Sequence, residues 1–223
     1  MFLSPYSYTK GMACAICQTR RPRRFCPGVG GDICSVCCGT EREVTVSCPL
    51  ECEYLQEARK REKRPSLEGI DIPNLDLRVN EAWLRDHERL LAFMAGSLLR
   101  PALEIPGVVD QDIREALDAL IRTYRTLQSG VYYETRPENS LAAGICSMMQ
   151  SAVAEYRREE TQRLGMTRTR DDDVLRLLVF LQHFELDSNN GRRRGRAFVE
   201  ALRGFYAAYP GAALPPESPL IFP

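Results

Sequence analysis

From Asn80 onward the apolar residues recur at steps of three and four, the spacing that puts side chains on one face of an α-helix. Asn80 caps the first run, in which Trp83, Leu84, His87, Leu90, Leu91, Met94 and Leu98 share a face, and Pro101 is expected to end it. A second run, capped by Asp110 or Asp112, carries Ile113, Leu117, Leu120, Ile121, Tyr124 and Leu127 to a stop at Gly130. The third follows Pro137 with Leu141, Ile145, Met148, Met149, Ala152, Val153 and Tyr156, and stops at Gly165. The fourth opens on the anionic turn Asp171 to Asp173 and is apolar almost all round from Val174 to Leu186, so it should be the most buried. After the turn Asn189-Asn190-Gly191, a fifth run reaches about Tyr209 with Phe198, Val199, Leu202, Phe205 and Tyr206 inward. Five helices with short connections predict an all-α bundle over residues 80–209, long enough to bury one core.

Ahead of this body the helical period fades. Residues 65–79 contain Pro and Gly without a sustained period and read as a linker or strap. Glu51 to Arg64 forms a short helix, basic in its last turn and stopped by Pro65. Glu41 to Ser47 alternates and is rich in β-branched residues, which predicts one strand of a short hairpin. Cys26-Pro27-Gly28-Val29-Gly30-Gly31 reads as a flexible turn.

Cysteine changes the picture of this front segment. Eight of the nine cysteines lie between Cys14 and Cys52: Cys14-x2-Cys17, Cys26, Cys34-x2-Cys37 with Cys38 behind it, and Cys48-x3-Cys52. Thiols two or three residues apart let one tight turn present two thiolates to a soft cation, and eight thiols suffice for two tetrahedral zinc sites. Iron-sulfur ligation and a disulfide framework use similar cysteine counts. Met1 to Gly11 lacks the pattern of a secretory leader, which points to a reducing cytoplasm and favours metal. Cys37 and Cys38 are neighbours whose side chains diverge, so they are expected to serve different ions. The interleaved assignment gives Cys14, Cys17, Cys34 and Cys37 to a first Zn2+ and Cys26, Cys38, Cys48 and Cys52 to a second. A sequential pairing, or an exchange of Cys37 with Cys38, satisfies the same spacing.

This stretch resembles the interleaved two-zinc fingers of the HIT, MYND and B-box groups. Cys14-x2-Cys17 looks like their opening knuckle, the ICSVCC around Cys34 like the middle one, and Cys48-x3-Cys52 falls where those families place a closing pair. The resemblance covers about a quarter of the chain and implies a protein-interaction module. The fold expected is therefore mostly α, with a small N-terminal binuclear all-cysteine finger over residues 12–64, a short β-hairpin within it, and the helical body behind. Residues 1–11, ahead of Met12, are expected to be a disordered extension, and residues 210–223 a Pro-rich tail whose Leu220, Ile221 and Phe222 dock on the bundle or a partner.

The 223 residues carry 30 basic and 30 acidic side chains, so no global field draws the chain to nucleic acid. Locally the charge is uneven, with 11 basic against 7 acidic residues up to Arg64 and 19 against 23 beyond it. Arg20, Arg21, Arg23 and Arg24 either offset thiolate charge or meet phosphate. Arg192, Arg193, Arg194 and Arg196 load a helix start with cations, against its dipole, and require a nearby anion; Glu185 and Asp187 are the internal candidates, a bound phosphate or acidic partner the external ones. The two histidines, His87 and His183, lack metal-ligand spacing, Cys146 and the Met148-Met149 pair read as core, and no catalytic triad, P-loop or dinucleotide fingerprint occurs. The expected function is a non-enzymatic, cytoplasmic zinc-finger adaptor that binds another protein and does not enter membranes. A nucleic-acid binder using the arginine clusters, and a thiol redox sensor that ejects zinc on oxidation, are the competing readings.

Overall fold

In the computed structural model the described residues are 13–62, Gly69 and 71–209. The readings for residues 1–11, the first part of the 65–79 segment apart from Gly69, and residues 210–223 lie outside them, whereas the helix expected from Glu51 to a stop at Pro65 already ends at Arg59. Among the described residues the chain forms eight helices and one two-stranded antiparallel hairpin, so the fold is mostly α with a small β element at the cysteine-rich end. Two compact units are present: residues 13–62 together with Arg192–Arg194, and the helical remainder.

In the first unit, β1 (Arg24–Cys26) pairs with β2 (Gly31–Ile33), setting Arg24 opposite Ile33, Phe25 opposite Asp32 and Cys26 opposite Gly31. Cys26 O closes the turn by accepting from the Val29 and Gly30 N–H groups at 3.2 and 2.8 Å, with Gly30 at φ +71°. Helices α1 (Ser35–Thr40) and α2 (Glu53–Arg59) follow. The hairpin thus lies earlier than the alternation at Glu41 to Ser47 predicted. There Glu41 O accepts from the amides of Val44, Thr45 and Val46 at 3.1, 3.2 and 3.1 Å and curls the chain, leaving only an isolated bridge between Arg42 and Val46. Glu43 sits in this curl at φ +54°, fully buried, with its carboxylate 2.6 Å from Arg59. A buried charge with a fixed partner outweighs the β propensity of three residues.

The helical unit holds α3 (Glu81–Asp86), α4 (Glu88–Glu104), α5 (Asp110–Gln128), α6 (Ser140–Leu164), α7 (Asp171–Ser188) and α8 (Ala197–Ala207). The first predicted run is broken at His87, whose Nδ1 donates to Trp83 O at 2.8 Å and whose ring stacks on Trp83 at 3.9 Å. Nor does Pro101 end α4. It sits in the last turn, buried beside Ala102, and the helix runs on to Glu104 because burial of this turn outweighs the lost amide. Gly130 and Gly165 stop α5 and α6 with φ of +80° and +75°. Helix α7 packs on α5, α8 and α4 and buries Val174, Leu175, Leu177, Leu178, Val179 and Leu181, as its apolar circumference predicts. Residues 71–79 lie on this bundle: Arg125 holds Asn74 and Asp76, and His183 Nε2 meets Pro73 O at 2.7 Å.

Gly96 on α4 lies directly against the Tyr206 ring of α8. A Cβ there would lie 2.7 Å from Tyr206 Cε2 on α8. Gly96→Val is expected to cost about 1–3 kcal/mol by overpacking, since valine brings little of the helix propensity that alanine would return. Chemical denaturation should show this loss, and adding Tyr206→Ala should recover part of it.

Candidate metal centre

The first cysteine quartet is assembled by the hairpin. Cys14 N–H donates to Arg20 O and Gln18 N–H to Cys14 O, both at 2.8 Å, folding the Cys14–Cys17 knuckle around Gln18 at φ +54°. Ala15 N–H donates to Asp32 O at 2.9 Å and ties the knuckle to β2. Cys34 follows β2 directly and caps α1, accepting from Cys37 N–H at 3.4 Å, and Cys37 projects from the first turn. Ile33 fills the space beside Cys14, Cys34 and Cys37.

As a result the sulfurs of Cys14, Cys17, Cys34 and Cys37 lie within 4.8 Å of one another. A zinc ion with bonds of about 2.3 Å to four sulfurs requires them about 3.8 Å apart, so the donor set and its spacing fit one tetrahedral ion. A multi-iron cluster places irons and sulfides between its thiolates and spreads them further. Amides already point at the sulfurs, with Cys34 N–H donating to Cys14 Sγ at 3.2 Å.

The thiols divide their protons unequally. Burial pushes the Cys14 thiol up, but the amides of Cys17, Cys34 and Ile16 hold it below its ordinary value. The Thr19 hydroxyl, with the amides of Thr19 and Arg20, pulls Cys17 down to about 5. Burial, then the adjacent Cys34, Cys17 and Cys14 sulfurs, push Cys37 up to about 12. A divalent ion at the centre resolves this crowding of negative charge. Among the described residues no other group of three or more cysteine, histidine or acidic side chains gathers this closely.

Comparison with protein-family models, with curated proteins and with solved structures returned no match.

Cys26, Cys38, Cys48 and Cys52 are not drawn together to the same distance. Cys38 accepts from Arg24 Nη1 and Arg42 Nη2, each at 3.8 Å. Burial pushes the Cys48 thiol up, the Glu43 amide opposes this, and charge at Glu43, Cys26 and Cys52 adds to it, so these three cysteines lie within electrostatic reach. Gly28 is pressed on Ser47, where a Cβ would stand 2.5 Å from the carbonyl oxygen, which seats the Cys26 turn against the stretch leading to Cys48.

The arginines separate into two kinds. Arg20 is turned to Cys34 and Cys17 and held fully protonated by them. Arg24 stacks on Tyr54 at 3.9 Å while it donates to Cys38. Arg21 and Arg23 are exposed. In the other cluster, Arg192 donates to Arg42 O at 3.0 Å and pairs with Glu62, Arg194 donates to Ser47 Oγ at 2.6 Å, Arg196 donates to Ala102 O at 2.6 Å, and Arg193 is exposed. The anion at the start of α8 is Asp110, which sequence reasoning placed only as a cap of its own helix. Its carboxylate accepts from the Phe198 and Val199 amides at 3.0 and 3.1 Å, and its own N–H donates to Gly195 O. Of the two candidates proposed from sequence, Glu185 and Asp187, Glu185 is fully buried on Arg114 at 2.9 Å. An 88-residue separation hides the Asp110 contact from any local pattern.

Cys146 is buried against Ala116 O at 3.4 Å, and burial pushes its thiol up to about 12, as a core cysteine requires. Among the described residues no helix is long and apolar enough to cross a membrane.

Proposed function

We propose that this chain is a non-enzymatic cytoplasmic adaptor, in which structural zinc folds the N-terminal module and the helical domain holds another protein. The observation that carries it is the closed set of four thiols, Cys14, Cys17, Cys34 and Cys37. Four protein ligands fill a tetrahedral ion and leave no position for water or substrate, which is the coordination of a structural site. The resemblance to interleaved fingers of the HIT, MYND and B-box kind points the same way.

A second zinc on Cys26, Cys38, Cys48 and Cys52 completes the reading. It is supported by the electrostatic interaction of Cys26 and Cys52 with Cys48, and it requires these sulfurs to close up and Cys38 to turn from Arg24 and Arg42 toward them. For the protein partner, the α5–α6 connection presents Val131, Tyr132 and Tyr133 in succession, each at least 60% exposed. Tyrosine supplies large contact area at low entropic cost and is enriched at interfaces.

Elemental analysis of reduced, purified protein is expected to give two zinc ions per chain. One ion would remove the second site and keep the first, and none would remove both. A protein partner should be recovered equally with and without nuclease, and lost on Tyr132→Ala with Tyr133→Ala at unchanged metal content; nuclease-sensitive recovery would count against it.

A further inference from the structure

Exposure alternates without a break over residues 21–26. Arg21, Arg23 and Phe25 are exposed, while Pro22, Arg24 and Cys26 are partly covered. Strand β1 itself begins at Arg24, the Arg23 N–H donates to Ile33 O of β2 at 2.9 Å, and Pro22 biases Arg21 toward extended backbone. An extended chain rises about 3.3 Å per residue and sends alternate side chains to opposite faces, so the three exposed residues form a row with steps of about 6.6 Å. The inner face is spent on the fold, through Arg24 on Tyr54 and Cys38 and through Ile33 beside the first sulfur quartet. The outer face ends in Phe25, which is 60% exposed on a strand of only three residues and so offers an open ring face.

Asp32 lies directly across from Phe25, and paired residues of an antiparallel ladder share a face. The row therefore reads, in order, cation, cation, aromatic ring with a carboxylate at its side.

We propose that this face of the hairpin binds single-stranded nucleic acid. Arg21 and Arg23 meet successive phosphates, whose repeat along an extended strand is comparable with the step of the row. Phe25 takes a base on its ring, and Asp32 accepts from an exocyclic amine of that base. An acidic polypeptide also suits the arginines, but it would bring its charge against Asp32 at the apolar end, where a base brings hydrogen-bond donors. Duplex would hide its base faces from Phe25. The inference goes beyond the adaptor reading, giving the finger a partner of its own, and it rests on that reading only for the metal that keeps the hairpin in shape.

The test uses the full chain loaded with zinc and fluorescence anisotropy of labelled dodecamers of deoxycytidine and of thymidine, with zinc content measured on every sample. Phe25→Ala is expected to weaken binding roughly tenfold. Arg21→Ala with Arg23→Ala should flatten the slope of log affinity against log salt by about 1.4, the value for two phosphates on a single strand. Asp32→Ala should reduce the preference for deoxycytidine over thymidine, and Arg122→Ala, an exposed arginine on α5, should change nothing. Undiminished binding in the Phe25 and arginine variants at full zinc content would overturn the proposal, as would tighter binding of duplex or of polyglutamate. Loss of zinc from the wild type would instead strike the metal reading, and the paired measurement separates the two failures.

Discussion

Stripping the metal with a strong chelator is expected to unfold residues 13–62 while the helical unit keeps its structure. Cys14, Cys34 and Cys37 with Ile33 form the buried cluster around which the hairpin and α1 assemble, and few other side chains there are apolar and covered. Structural zinc is worth about 10 to 16 kcal/mol per site at neutral pH, as much as the whole stability of a typical domain, so this unit without its ion has no folded state of comparable depth. Helices α1 and α2 have only six and seven residues, against 25 in α6 alone, so far-UV circular dichroism will barely register the loss. Limited proteolysis and amide NMR will, with cleavage appearing between Cys14 and Arg59 only. Cys37→Ser should reproduce the effect with zinc present.

The same centre sets a pH dependence. Without metal Cys17 is already a thiolate near neutral pH, its value lying at about 5, whereas Cys37, pushed up to about 12, still holds its proton. Zinc binding must displace the proton on Cys37 but none on Cys17, so fewer than four protons should be released per ion bound at this quartet. Affinity should fall on acidification as protons compete for the thiolates.

Arg114→Ala should be the most damaging single change in the helical unit. Arg114 holds Glu185 through two hydrogen bonds of 2.9 and 3.0 Å, and the carboxylate is wholly shielded from water. Removing one member of a buried pair leaves an uncompensated charge and typically costs about 3 to 5 kcal/mol, against near neutrality when both are replaced by apolar groups. Burial already pushes the Glu185 carboxyl above its ordinary value, with Arg114 pulling the other way. A carboxyl raised in the folded state costs stability once the pH exceeds its unfolded range and ceases to do so below it. The gap between Arg114→Ala and wild type should therefore be widest near neutral pH and narrow on acidification, as Glu185 takes up a proton. Glu185→Gln in the Arg114→Ala background should shrink the neutral-pH gap and abolish its pH dependence. A gap that stays constant with pH would show that Glu185 is not the stranded charge.

The helices were legible because their signals are local. Asn80 accepts from Trp83 N–H at 2.8 Å, the glycines at 130 and 165 supply left-handed stops, and the apolar girth of α7 matches its burial. The hairpin was not, since Arg24–Cys26 has one apolar side chain and it faces outward, while the segment with true β composition is curled by the Glu43–Arg59 pair. In the site, ligand spacing identified the quartet that the structure gathers. The division of arginines between sulfur and solvent depended on which residues flank the hairpin, and no polar–apolar pattern in residues 20–26 marks it.

The strap over residues 71–79 bears on how this protein can be dissected. Arg125 is bound there by Asn74 at 2.8 Å and by Asp76 at 2.8 Å, Gln182 by Asn74, and His183 by the carbonyl of Pro73. A fragment begun at the helix cap Asn80, the natural boundary by composition, would strip partners from three side chains on two helices at once. A helical piece that keeps these partners begins no later than Pro73, and its first structural act is made by residues that belong to no helix.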